Sequence, residues 1–478
     1  MPWEVCIALA NVSGKDLWLN IPAHATDDYI LQLATLLLAS VDPSLFIYYE
    51  YSNEVWNWVG FFLSLRGFPF FPSHASLSTS PQEFEQADYN LNEANRSVVQ
   101  DGDPNLLNYD HCNNAGYWAW RRTAFMCKHV ADIFKTVFGD DGVGSGKRVR
   151  PILSGQVSSP EPIRQGLVYT ETVWGPPSRF FHAIAGAPYF GLPAKINNDP
   201  NLTVEGVFEG FDQSIAAQSV TAGVDVRNPL AVHVALAYHY GLQMRAYEGG
   251  PDTAGPNLGP AYLKVKGDAS VDPRIQARVE TYLTSWYQYG AAMGPLNYFV
   301  AGATPLIDQW GVYGILFDMR VQDGPKARGV DAIRVLPRPS TPTSAIPQVP
   351  FTANCTRDRV GAPFPVQPPY YCAYFGANET FDFFLQHTDA TPSQKLSVVV
   401  RVGTPWKNAT LGVQLNDGQE ALVACPTSPA GWTGTVPCEA AVFDAPQGVA
   451  LVSLRSIGAY SAYRTYNIFD IIFSLLNE

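Results

Sequence analysis

The sequence predicts an α/β domain built as a barrel of parallel strands and helices, followed by an all-β sandwich. Three observations carry this reading. Strand-like and helix-like runs alternate through residues 1–335, and a Pro-, Ser- and Thr-rich stretch at 336–350 (LPRPSTPTSAIPQVP) then has the composition of a stiff linker. Beyond it, in residues 351–478, short alternating segments recur between turn residues at sandwich-like intervals. At 478 residues the chain also exceeds what one hydrophobic core usually organises.

The elements follow in order. Residues 2–12 (PWEVCIALANV) read as a helix and 16–21 (DLWLNI) as a short apolar strand. Residues 27–39 (DDYILQLATLLLA) place apolar side chains at helical spacing behind an acidic first turn that complements the helix dipole. The run at 45–51 (LFIYYEY) is β-branched and aromatic and leads straight into Ser52-Asn53-Glu54. A helix near 117–138, strands near 149–156 and 180–185, a helix at 229–240 with Pro at its first turn, and a strand at 242–247 continue the alternation. A long amphipathic helix near 273–291 and a strand at 296–301 (LNYFVA) close it. So many repeats favour a barrel over an open sheet. Two segments interrupt the pattern, 60–115 and 186–228; both follow strand ends, where barrel loops line a cleft. In the second domain, strands are expected at 395–402, 409–415, 449–455 and 466–473.

Composition narrows the function. A net charge of −12 without any basic run argues against a nucleic-acid partner. No stretch of 18 apolar residues marks a membrane span. The 11 Trp and 24 Tyr are generous, and flat aromatic faces suit sugar rings as well as core packing. No nucleophile elbow, H-E-x-x-H, Walker loop or dinucleotide fingerprint is present. GDDGVGSGK at 139–147 lacks the Ser/Thr that a phosphate loop needs and reads as a turn.

Three cysteine pairs lie close in sequence, Cys112 with Cys127, Cys355 with Cys372 and Cys425 with Cys438, at spacings that fit local disulfides rather than zinc sites; Cys6 is left over. With sequons at Asn11, Asn95, Asn201, Asn354, Asn378 and Asn408, this predicts a secreted, glycosylated protein, although residues 1–20 show no signal peptide.

The chemistry lies at strand ends, where Glu54 closes YYEYSNE and Glu248 closes LQMRAYE. The alternative for each is a solvated or salt-bridged carboxylate at a strand–loop junction. Glu50 competes with Glu54, but alternation along YYEYSNE assigns its side chain to the barrel interior. His24, at another strand end, is a candidate substrate-binding residue.

Ser52-Asn53-Glu54, with Glu248 at a later strand end, resembles clan A glycoside hydrolases. The wider phrase from Trp18-Leu19-Asn20-Ile21-Pro22 through Glu54-Val55-Trp56-Asn57 is similar to exported barrel proteins of a cellulose-binding or cellulase-like group, over about residues 1–335. The resemblance implies Glu54 as acid/base, Glu248 as nucleophile and Asn53 as a hydrogen-bond partner of the sugar 2-hydroxyl. It also implies a residue that orients the nucleophile, for which His182 and Tyr189 are candidates, and a sugar platform, for which Trp310 is. A retaining mechanism on a β-linked polysaccharide follows if the carboxyls are roughly 5 to 5.5 Å apart; the alternative is a glycan-binding or adhesion protein on the same scaffold. By the same resemblance the first recognisable strand is the barrel's third, so the (β/α)8 barrel is expected to lack its first two strands.

The segments ATLGVQLNDGQ, Gly431-Trp432, VFDAPQGVALVSLRSIG and YNIFDIIF resemble family 6 and family 35 carbohydrate-binding modules, over about residues 351–478. This implies a jelly-roll-like sandwich with Trp432, Tyr460 and Tyr463 as sugar-stacking candidates. No cofactor is expected; calcium, a structural ion in such modules, is assigned to no residue.

Overall fold

A computed structural model describes residues 2–57, 85–219, 228–290, 293–302, 311–318, 320–321, 323–334, 349–351, 372–375, 380–387, 394–407, 409–416, 418–431, 436–445, 448–457 and 466–476. Of the expected 336–350 linker, residues 336–348 fall outside these residues, as does 335, and Val349 and Pro350 begin a strand, Val349–Phe351.

The first helix, α1 (Trp3–Ser13), stops at Gly14, whose left-handed backbone (φ 61°) turns the chain into strand β1 (Leu17–Ile21). Along β1 the apolar side chains Leu17, Leu19 and Ile21 are buried toward the helices, so Trp18 and Asn20 take the other face. Helix α2 (Asp27–Ser40) starts where the Thr26 hydroxyl accepts the Tyr29 N–H, and buries Ile30, Leu33, Ala34 and Leu37. Strand β2 (Ile47–Tyr51) is buried on both faces. The helix Ala115–Phe138, capped by Asn114, leads into β3 (Val149–Ser154). The helix Glu161–Trp174 leads into β4 (Ala183–Gly186), and Pro229–His239 into β5 (Gln243–Ala246). The helices Pro260–Val271 and Ile275–Gln288 precede β6 (Met293–Leu296).

These six strands form one parallel sheet in the order β1-β2-β3-β4-β5-β6, curled into a half-barrel. The register of β1 on β2 sets Asn20 beside Glu50 and Ile21 beside Tyr51.

The expected elements match closely; the helices Glu161–Trp174, Pro260–Val271 and Pro325–Arg334 are additional to them, and three further differences stand out. The last strand is Met293–Leu296, not 296–301: past Leu296 the Asn297 N–H donates to the Ala246 carbonyl and the Phe299 N–H to that of Gly249, so the chain follows the loop after β5. Gly294 permits the shift, since a Cβ there would come within 2.7 Å of the Arg245 side chain. The segments 60–115 and 186–228 also contain helices, Glu85–Val99 and Val204–Ala217. Finally, Cys112 and Cys127 are not bridged. Cys127 faces inward from its helix with its thiol on the Ile152 carbonyl, whereas Cys112 lies in the preceding loop beside Asp110.

The C-terminal part holds two antiparallel sheets. One orders Cys372–Phe375, Tyr466–Leu476, Lys395–Gly403 and Val436–Pro437, with Ala441–Asp444 also on Lys395–Gly403. The other orders Ala421–Cys425, Ala409–Leu415, Gly448–Ile457, Thr380–His387 and Val349–Phe351. Alternate residues Leu396, Val398, Val400 and Val402 of the first meet Leu411, Val413, Val452 and Leu454 of the second in one core. Cys425 and Cys438 form a disulfide that ties the two sheets. The expected Cys355–Cys372 pair lies outside the described side chains.

A bridge that closes a loop of 13 residues constrains the unfolded chain by about 3 kcal/mol. Replacing Cys425 and Cys438 by Ser is therefore expected to lower the unfolding free energy of the sandwich by about that amount in urea titrations.

Candidate active site

Parallel strands end together, so side chains just past their C-terminal ends gather on one rim of the curled sheet. Glu54 follows β2 through a turn in which Ser52 (φ 57°) and Glu54 itself (φ 48°) take left-handed backbone that costs a non-glycine residue about 1 kcal/mol each. External bonds hold the turn: the Ser52 N–H donates to the Ile21 carbonyl at 2.7 Å and the Asn20 amide to the Ser52 carbonyl at 3.2 Å. The half-exposed Glu54 carboxylate accepts from the Tyr247 hydroxyl at 3.2 Å on Oε1 and from the Asn57 amide at 3.2 Å on Oε2.

Glu248 lies two residues beyond β5 and is half-buried. The two glycines after it are required by packing: a Cβ on Gly249 would meet the Tyr282 hydroxyl at 2.6 Å, and Gly250 (φ 132°) lies against the Tyr298 ring. Burial pushes the Glu248 carboxyl up to about 7, the Glu54 charge adds to this, and a hydrogen bond from Tyr189 opposes it. The two carboxyls therefore sense one another across the rim. Tyr247 lies among them, its phenol held well above its ordinary range by burial and by the charges of Glu54, Glu248 and Glu50.

Glu50 is 2% exposed on the inner face of β2, as alternation predicts. Its Oε1 accepts from the Asn20 amide at 2.7 Å and the Trp18 indole at 3.1 Å. Burial pushes this carboxyl up to about 7 against the hydrogen bonds of Trp18 and Asn20 and the nearby Ser154 hydroxyl, and Glu248 raises it further.

The remaining predicted residues divide. Tyr189 joins the pair, its hydroxyl on Glu248 and its ring edge-on to Phe299 and Tyr313. Asn53 is exposed beside Glu54, and its carbonyl accepts from Gln86 at 3.1 Å. His24 is exposed after β1, its ring centroid 3.9 Å from that of Tyr89, and it lines with Asn20, Asn53 and Gln86 a cavity of about 300 Å³ beside the Glu54 turn. The Tyr51 hydroxyl, donating to the Ala23 carbonyl at 3.1 Å, fixes the loop that carries His24.

His182 is not on this rim. It precedes β4, at the opposite end of the strands, where its Nε2 lies 3.1 Å from the buried Arg245 guanidinium, and burial with that positive neighbour pushes its imidazole down to about 3. As a candidate to orient Glu248, His182 is therefore excluded by its position at the other end of the strand. Trp310, Trp432, Tyr460 and Tyr463 lie outside the described residues. Sequence reasoning missed Tyr247, whose only signal is its place next to Glu248, and Gln86 with Tyr89, which the helix Glu85–Val99 returns to the rim. Both inserted segments thus reach the site, one through this helix and the other through Tyr189.

Among the described residues no group of three or more His, Cys, Asp or Glu side chains is placed to hold a metal ion, and no helix is long and apolar enough to cross a membrane.

No known family and no curated protein matches the chain. Solved structures similar in part include a family 35 carbohydrate-binding module in complex with a glucuronic-acid-containing disaccharide, at 16% identity over 23% of this chain and 76% of that one, TM-score 0.19. A family 35 module from Cellvibrio japonicus is 17% identical over 21% of this chain and 68% of its own, TM-score 0.18. A family 6 module from Clostridium cellulolyticum in complex with xylose is 15% identical over 20% and 73%, TM-score 0.17. Likeness at this level assigns the chain to no family.

The buried carboxyl of Glu50 sets a pH dependence of stability. Below pH 4.5, its ordinary value, folded and unfolded chains both hold the proton; above about 7 neither does; between them only the folded chain does, so stability falls as pH rises through this window. Glu50→Gln is expected to flatten a loss on the order of 3 kcal/mol between pH 4.5 and 7 in denaturant titrations, and an unchanged slope would contradict the buried, proton-holding carboxyl.

Proposed function

We propose that this protein is a secreted retaining glycoside hydrolase acting on a β-linked polysaccharide, with a (β/α)8-type barrel as its catalytic scaffold and a jelly-roll-like carbohydrate-binding sandwich appended. The observation that supports this best is the pair of carboxyls, Glu54 and Glu248, at C-terminal strand ends of one parallel sheet, near enough for the charge of one to raise the other.

In this reading the Glu248 carboxylate attacks the anomeric carbon while Glu54 protonates the leaving oxygen, so the glycosidic C–O bond breaks as an ester to Glu248 forms. Water then attacks the same carbon, gives its proton to Glu54 and releases Glu248, leaving the configuration unchanged. Burial raises the Glu248 carboxyl to about 7, whereas the nucleophile's role requires its anion. The Tyr189 hydroxyl favours that anion. Asn53 and His24, exposed beside Glu54, would contact the sugar, as would Trp310 and Trp432.

The expected result is release of reducing ends with retained configuration from at least one β-linked glucan. Glu54→Gln is expected to slow it about 10²–10⁴-fold and Glu248→Gln to abolish it. Retention of the protein on an insoluble glycan without release from any substrate would instead favour the glycan-binding reading.

A further inference from the structure

Among the described residues Glu50 is the one buried carboxyl that the proposed reaction does not use, and its bonds run to the part of the chain that carries Glu54. The Asn20 amide nitrogen that donates to Glu50 Oε1 at 2.7 Å also donates to the Ser52 carbonyl at 3.2 Å. Asn20 therefore bridges the buried acid to the first left-handed residue of the turn, two positions before Glu54. Such backbone persists only where its surroundings over-determine it. The second oxygen, Oε2, is buried without a well-formed hydrogen bond, beside the Ser154 hydroxyl.

Among the described residues the polar and titratable groups that interact with Glu50 are Trp18 and Asn20 from β1, Ser154 from β3, Tyr247 and Glu248 from the end of β5, and Cys127 from the helix behind the sheet. None is a cation. Two acids, Glu50 and Glu248, thus share a region in which no neighbour offsets a second negative charge, and ionising one opposes ionising the other.

We propose that Glu50 is a positioning residue of this site, which through Asn20 fixes the Ser52–Glu54 turn and whose own ionisation opposes that of Glu248. Its effect on turnover rests on the hydrolase reading; its effect on the ionisation of Glu248 does not.

Two variants separate these effects. Glu50→Gln keeps an oxygen for Trp18 and Asn20 but cannot ionise. Glu50→Leu fills the space and removes the acceptor. The Glu248 carboxyl is followed by carbon-13 NMR with labelled glutamate, assigned by its loss in Glu248→Gln. In Glu50→Gln the Glu248 midpoint is expected to fall by about 0.5 pH unit or more, because a competing acid has gone. With a cleaved substrate, Glu50→Leu is expected to lower kcat about tenfold or more at similar KM, while Glu50→Gln restores most of it and moves the acidic limb of the pH profile downward. An unmoved Glu248 midpoint in Glu50→Gln overturns the proposal, as does wild-type kcat in Glu50→Leu. If the wild type cleaves no glycan while the midpoint still moves, the hydrolase reading fails and the coupling stands. If Glu50→Leu does not fold, the Gln titration decides alone.

Discussion

Because β1 and β2 run parallel with Asn20 beside Glu50 and Ile21 beside Tyr51, both strands end at the same height, and the Ile21 carbonyl is left to receive the Ser52 N–H. That register determines where Glu54 emerges. A slip of one residue would turn Asn20 and Trp18 to the helix side and bury no partner for Glu50. The left-handed turn that follows is unfavourable by itself and is maintained by the bonds that the register makes available. From it Glu54 meets Tyr247, which the β5 segment brings in nearly two hundred residues later.

Charge is the second constraint. The charges of three carboxyls, Glu50, Glu54 and Glu248, act on the Tyr247 phenol, and among the described residues the groups that oppose the upward shifts of Glu50 and Glu248 are hydroxyls, an amide and an indole rather than cations. The sheet interior does hold a buried arginine, Arg245, but it lies with His182 and Tyr48 toward the other end of the strands. The same parallel sheet thus keeps a basic layer below and an acidic rim above. Burial without offsetting charge raises the Glu50 and Glu248 carboxyls to about 7, and groups that titrate near neutral pH suit acid–base chemistry.

Much of this was legible in the sequence, for identifiable reasons. The run IYYEY could hardly be anything but a strand, and its alternation placed Glu50 inward and Glu54 at the end. DDYILQLATLLLA has one apolar stripe and an acidic first turn, and it is a helix. What the sequence concealed depended on contacts distant along the chain. LNYFVA has strand-like composition, yet its backbone bonds to the loop after β5, and the ladder uses the unpromising MGPL instead. Cys112 and Cys127 are close in number, but a helix rotates one of them into the core. His182 has the residue type of a site histidine and lies at the wrong end of its strand, a difference that composition does not encode. Tyr247 and Gln86 carried no motif and became visible only when the sheet and the helix Glu85–Val99 met.

The most direct test of the account is the titration of Glu248 in a chain where Glu54 is replaced by Gln, followed by carbon-13 NMR of labelled glutamate carboxyls. A coupled pair at one rim predicts that the Glu248 midpoint, raised to about 7 in the intact chain, moves down when the neighbouring charge is removed. A midpoint that stays in place would mean that the two carboxyls are independent, and would contradict a site built on their interaction.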